Sequence, residues 1–332
     1  MVAAAVPSTD DLLVAADSGS IRAIARLLSR IEGGGRRAAQ VAHSLTGRRR
    51  QGVITGITGP PGVGKSTLTT ALVSRHRAQG RRVAVLAVDP SSPFSGGALL
   101  GDRVRMAEHS TDNGVYIRSM SSRGELGGLS AAAPAAAELF SCIGFDEIIV
   151  ETVGVGQNEI AVMRLADSVL VVLAPGMGDG IQAAKAGILE IADILVVNKS
   201  DHAGATATVR DLKGMIALGR SGVAGPERWR VPVLSTVAST GKGVDDVLLA
   251  LHSHREFSVA GEEGARRRRQ RAEVAVSAVV LERIQQSLSA PGGRHELVAA
   301  ATEVAAGRID HHEAAELVLD WLAHTRDGEE VS

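Results

Sequence analysis

Apolar and polar positions alternate in three successive ways along the chain. From Asp11 to about Ile31 the apolar residues recur at helical spacing, at Leu12, Leu13 and Ala16 and then at Ile21, Ile24, Leu27, Leu28 and Ile31. This predicts a small helical extension, with Ser20 capping its second helix and Gly33-Gly34-Gly35 stopping it. From Val53 onward short β-rich runs alternate with helical ones. Strands are expected at Val53 to Ile57, Val83 to Val88, Gly114 to Ile117, Glu147 to Val150, Ser168 to Leu173, Ile194 to Val197 and Val231 to Leu234. Such alternation predicts βαβ units and a mostly parallel sheet covered on both faces. Beyond Gly243 the pattern is helical. An apolar stripe at Val274, Ala278, Leu281, Ile284 and Leu288 is broken at Pro291-Gly292-Gly293 and followed by helical runs at Leu297 to Ala306 and Asp310 to His324, with Asp310 and Glu313 as a capping pair.

In parallel sheets of this kind ligands sit beyond the carboxyl ends of the strands, so the residues after each strand carry the chemistry. After the first comes Gly59-Pro60-Pro61-Gly62-Val63-Gly64-Lys65-Ser66-Thr67, which satisfies GxxxxGK[ST] between a strand and a helix. The glycines let backbone N–H groups approach a polyphosphate at a helix N-terminus, Lys65 adds a cation for the β- and γ-phosphates, and the Ser66 hydroxyl can ligate Mg²⁺. The expected fold class is therefore α/β, a phosphate-loop nucleoside triphosphatase. The mostly parallel sheet is flanked by helices, with a helical extension over 1–50, the nucleotide domain over 51–257 and a helical arm over 258–332.

Glu151 ends an apolar strand, where a carboxylate meets Mg²⁺ directly or through water. Asp89 is a second metal candidate, although Asp-Pro also reads as the start of a turn. Gly154 can present its N–H to a γ-phosphate, and Gln157 is a candidate for positioning water. Asn198-Lys199-Ser200-Asp201 matches NKxD, in which the aspartate accepts from N1–H and the 2-amino group of guanine and the lysine stem lies over the base. Downstream of a phosphate loop this favours GTP and GDP over adenine nucleotides. Asp179, Gln182 and Lys185 share one face of a helix after Pro175-Gly176-Met177-Gly178, which spacing alone assigns to an ordinary exposed face.

Composition narrows the partners. Of the 332 residues 45% are hydrophobic but only 2% aromatic, so the core is aliphatic and stacking platforms for single-stranded nucleic acid are not expected. A net charge of −1 points to neither nucleic acid nor a membrane surface. The single cysteine, Cys142, excludes a disulfide framework or a multi-thiolate metal site. His311-His312 and the pair His252 and His254 lack cysteine or acidic partners at metal-binding spacing. The start MVAAAVPSTDD has no basic segment of a secretory signal, and no apolar run reaches the roughly 20 residues of a membrane span. A cytoplasmic protein is expected.

Taken together, GPPGVGKST, VDPSSPFSGGALLGDRVRM, SSRGELGGLS, ETVGVGQNE, NKSD and AGRIDHHEAAELVLDWL resemble the MeaB/ArgK family over nearly the whole chain. The resemblance implies a Mg²⁺-dependent GTPase that acts as chaperone to an adenosylcobalamin-dependent acyl-CoA mutase of the methylmalonyl-CoA type, and a homodimer formed through the C-terminal arm; with no clear catalytic base in the chain, its turnover is expected to be slow. It implies that Lys65, Ser66 and Thr67 bind phosphates and Mg²⁺, that Asp89 and Glu151 serve the metal, and that Asn198, Lys199 and Asp201 read guanine. It also makes the helix bearing Asp179, Gln182 and Lys185 a switch toward the mutase. Two departures stand out: Gly180 where the family has an acidic residue, and Val237-Ala238-Ser239 where it has Ser-Ala-Leu. The Ala238 N–H is still expected to face guanine O6. The alternative is an ATPase or kinase of basic amino-acid transport, a label the family has also carried; a scaffold holding GTP without hydrolysis is a third reading.

Overall fold

The computed structural model describes residues 7–49, 51–90, 109, 111–122, 132–152, 165–176, 192–219, 229–260 and 262–328. Three helices come first: α1 (Thr9–Asp17), α2 (Ile21–Glu32) and α3 (Gly35–Leu45). Ser8 caps α1 and Ser20 caps α2 through side-chain bonds to the amides of Asp11 and Ala23, which satisfies donors that the first helical turn leaves unpaired. The triple glycine stops α2 as expected. It also opens α3, which periodicity did not reveal because Val41 and Leu45 are its only buried aliphatic positions.

Seven strands among the described residues form one sheet in the order β3-β2-β4-β1-β5-β6-β7. They are β1 (Val53–Thr58), β2 (Val83–Pro90), β3 (Val115–Ser122), β4 (Glu147–Thr152), β5 (Ser168–Leu173), β6 (Ile194–Val197) and β7 (Val233–Ser235), and every pairing is parallel. β5 and β6 have the expected bounds, whereas β3 runs on to Ser122 because its ladder with β2 continues as far as the pair Pro90 and Ser122. Between and after the strands lie α4 (Lys65–Ala78), α5 (Ala132–Cys142), α6 (Ala205–Gly219) and α7 (Val244–Ala260).

Period-two alternation divides the aliphatic core between the two faces of the sheet. Val83 and Val85 join Leu68 and Leu72 of α4 and Val247 of α7 on one face. Ala84, Leu86 and Val88 join α5 and the N-terminal helices, including Leu27 and Leu28, on the other. Every residue of β4, β5 and β6 is buried, as parallel strands covered on both sides require. The N-terminal helices are also tied to the sheet edge by Arg118 of β3, whose Nε donates to Glu32 Oε1 at 3.0 Å.

The chain forms two compact units, 1–275 and 276–332. The boundary falls inside the long helix α8 (Glu262–Ser289), which is followed by α9 (Pro291–Ala305) and α10 (His311–Gly328). Pro291 ends α8 but occupies the first turn of α9, where a missing N–H costs nothing, so α9 starts earlier than its apolar residues suggest. Asp310 caps α10 by accepting from the amides of His312 and Glu313 at 2.7 and 2.9 Å. Within the second unit Ala300, Ala314, Val318 and Leu322 make a small core. No helix among the described residues is long and apolar enough to cross a membrane.

Candidate functional site

β1 lies between β4 and β5, so the loop leaving its carboxyl end is flanked by the ends of both neighbours. The loop from Gly59 to Gly64 takes the tight course that its glycines allow. Gly59 has φ +141°, and a Cβ there would lie 2.0 Å from the Val172 carbonyl oxygen of β5. Gly64 has φ +91°, and a Cβ would lie 2.4 Å from Asn198 Nδ2. Any larger residue at either position would push the loop off its neighbours. Gly64 is also the N-cap of α4 and supplies no side-chain bond, so the first amides of the helix have no side-chain cap to compete with an anionic ligand.

Lys65 opens α4 and is buried, with its Nζ donating to the Gly59 and Pro60 carbonyls at 2.7 and 3.0 Å. Val63 anchors the loop in the core, while Pro61, Gly62 and Thr67 are exposed. The next residue, Ser66, meets the end of β4: its Oγ donates to Glu151 Oε1 at 2.7 Å. Thr69, one turn further along α4, donates to the other carboxylate oxygen at 2.8 Å. Glu151 is only 4% exposed, and these short bonds to an anion offset part of the cost of its burial.

Ser66 and Glu151 fit a hard divalent cation such as Mg²⁺, since both offer oxygen and one is anionic. Because the Ser66 hydroxyl donates its hydrogen bond to Glu151, its lone pairs remain available to a cation. Asp89 falls at the carboxyl end of β2, opposite Ser121 of β3; its side chain lies outside the described residues. So do Gly154, Gln157, Asp179, Gly180, Gln182 and Lys185. Among the described residues no group of three or more His, Cys, Asp or Glu forms a metal site. His254 instead belongs to the core, with Nδ1 2.7 Å from Ser168 Oγ.

On the other side of β1, the segment after β6 reaches back to the phosphate loop. Asn198 donates through Nδ2 to the Val63 carbonyl at 2.9 Å. Its Oδ1 accepts from Thr236 Oγ1 at 3.1 Å and from the Ala238 N–H at 3.0 Å. Lys199 has φ +55°, and its Nζ lies 2.7 Å from the Gly62 carbonyl oxygen. The Asp201 carboxylate is exposed, 4.0 Å from His202 Nε2. Val237 pairs with Lys242 across a tight turn that leaves Ser239 exposed. The Ala238 N–H expected to face guanine O6 is thus engaged by Asn198. The Asn198 side chain, tied at Nδ2 to the phosphate loop, turns its Oδ1 toward that amide.

The structure brings together the phosphate loop, Ser66, Glu151 and the segment Asn198 to Asp201 at one edge of the sheet. Sequence reasoning passed over Thr69 and Thr236, which hold Glu151 and Asn198. The available signal was a threonine three residues beyond Ser66 on the apolar stripe of the helix, three and four residues before Leu72 and Val73, where an aliphatic residue would ordinarily pack.

A parallel sheet with this loop at the end of its central strand defines a phosphate-loop nucleoside triphosphatase. The chain belongs to the family of the methylmalonyl Co-A mutase-associated GTPase MeaB, whose family model matches residues 22–292. A Pyrococcus abyssi protein named as a GTPase is 42% identical, with 93% of this chain and 95% of the relative covered. The mouse mitochondrial methylmalonic aciduria type A homolog is 35% identical over 80% of this chain and 64% of its own length. A crystal structure named LAO/AO transport system kinase superposes with a TM-score of 0.67 over 96% of this chain and all of its own, at 21% identity, and so shares the fold.

Proposed function

We propose that this chain binds and hydrolyses GTP as the chaperone of an adenosylcobalamin-dependent acyl-CoA mutase of the methylmalonyl-CoA type, gating cofactor loading and protecting the mutase. The observation that carries the catalytic part is the convergence of Ser66 and Glu151 beside the phosphate loop, with Asn198 bonded to the same loop. The family description supports the mutase as partner. The transport-kinase reading is weaker, since Asn198-Lys199-Ser200-Asp201 matches NKxD and favours guanine over adenine.

Loop amides and Lys65 bind the polyphosphate and stabilise negative charge on its γ-phosphate. Ser66 and Glu151 would hold Mg²⁺, with Asp89 as the third candidate. What the cation supplies when bound is charge neutralisation at the β- and γ-phosphate oxygens. Asp201 reads guanine, Lys199 covers the base, and the turn Val237-Ala238-Ser239 borders it. Gln157 positions water, and Asp179, Gln182 and Lys185 relay nucleotide state to the mutase. A homodimer through the C-terminal arm accounts for the exposed apolar residues Leu297, Val298, Leu317 and Leu319 of its helices.

Steady-state GTP hydrolysis with and without purified methylmalonyl-CoA mutase tests the reading. Turnover on the order of 10⁻⁴ to 10⁻² s⁻¹ alone, rising with the mutase, is expected. Hydrolysis unaffected by the mutase, and no co-purification in any nucleotide state, would remove the chaperone role.

A further inference from the structure

The carboxylate of Glu151 is gripped by two hydroxyls of a single helix. Ser66 and Thr69 are three residues apart on α4, which places them on one face, and they take Oε1 and Oε2 respectively. The strand that presents Glu151 is itself fixed, because Ile57 pairs with Glu151 in the ladder and the Thr152 hydroxyl donates to Thr58 Oγ1 at 3.1 Å. What remains to be set is the rotation of the glutamate side chain, which has three torsions of its own. Ser66 cannot set it alone, since its oxygen is also the candidate cation ligand. Thr69 is fully buried, at 0% exposure, and lies about 4.5 Å further along the helix axis. Among the described residues its side-chain bond to the site is the one to the carboxylate.

We propose that Thr69 is a positioning residue that holds Glu151 in register with Ser66 for divalent-cation binding. This rests on the reading of Ser66 and Glu151 as the Mg²⁺ ligands. A helix position facing a strand needs no threonine for packing, since valine has the same shape. The hydroxyl is what the site uses. Partners that orient a metal-binding carboxylate commonly change metal affinity by about 10–100-fold when removed.

The test measures affinity for a fluorescent GTP analogue during Mg²⁺ titration in wild-type protein, Thr69→Val and Thr69→Ser. Binding in EDTA and the thermal midpoint are recorded beside it. For Thr69→Val, the Mg²⁺ concentration needed for half of the affinity gain should rise roughly 10-fold, while affinity in EDTA stays within about twofold. Thr69→Ser should restore the wild-type Mg²⁺ requirement. An unchanged requirement in Thr69→Val, with a normal Mg²⁺ response in the wild type, would overturn the proposal and leave the metal site standing. So would an equal loss of affinity in EDTA, or a Thr69→Ser variant that behaves like Thr69→Val. If Mg²⁺ does not alter wild-type affinity at all, the ligand assignment falls and the proposal with it.

Discussion

The side-chain amide of Asn198 donates to the Val63 carbonyl at 2.9 Å, across 135 positions of sequence. This bond, with those to Thr236 and Ala238, fastens the segment Asn198 to Asp201 to the phosphate loop. Asn198→Ala would leave buried backbone groups on both loops without partners, at about 1–3 kcal/mol each. Urea unfolding should show a loss of that order. GTP affinity should fall more than this local loss alone implies, because both loops shift together.

Lys65→Ala removes the cation held over the first residues of the phosphate loop. Single-turnover hydrolysis should slow by about 10²-fold or more, as when one donor to a developing charge is deleted. The circular dichroism spectrum should be preserved, since the bonds to the Gly59 and Pro60 carbonyls join neighbouring parts of one loop.

In the proposed reading Asp201 distinguishes guanine by accepting from its 2-amino group, which inosine lacks. A hydrogen bond to a charged group contributes about 1.5–3 kcal/mol, so wild-type protein should prefer GTP to ITP by roughly 10- to 100-fold. In Asp201→Ala the ratio should approach one. Competition binding of the two nucleotides reads this directly.

His76 of α4 is buried beside Glu147, Arg81 and Arg255. Burial pushes its pKa below the ordinary 6.5; the carboxylate of Glu147 opposes this, but Arg81 and Arg255 add to the depression. The ion pair suggested by the 3.9 Å approach to Glu147 is therefore not formed near neutral pH. A neutral folded histidine contributes stability that is full above pH 6.5 and is lost as pH falls below it, because the unfolded chain then takes up the proton first. Unfolding free energy should decline from pH 7.5 to 5.5, and His76→Gln should flatten that part of the profile.

Ser168, His254 and Asp193 have the residue types of a nucleophilic triad, yet they are 2%, 0% and 3% exposed. His254 Nδ1 lies 2.7 Å from Ser168 Oγ, and Nε2 lies 3.2 Å from Asp193 Oδ1. Sealed in this way they anchor α7 beneath β5 and β6 and meet no substrate. His254→Phe should destabilise the protein by about 2–4 kcal/mol through the polar groups it strands. Nucleotide affinity of the folded fraction should not change.

Much of this was legible in the chain itself. Strand positions followed from β-rich runs, and β5 and β6 matched because buried parallel strands read as unbroken apolar segments. The phosphate loop was legible because its chemistry is local: glycine freedom, one lysine and one hydroxyl within a single turn. α3 was not, since a helix with two buried aliphatic positions carries too little periodic signal.

Local spacing determined which residues could cradle a phosphate and which segment could read guanine. Only the tertiary structure decided that Thr69 shares Glu151 with Ser66, that Asn198 occupies the Ala238 N–H, and that His254 is a core residue. The physical reason is strand order. With β4 and β5 seated on either side of β1, residues 82 to 135 positions apart meet at one edge. Hydrogen bonds between them depend on which strands are neighbours, a property that no window of sequence contains.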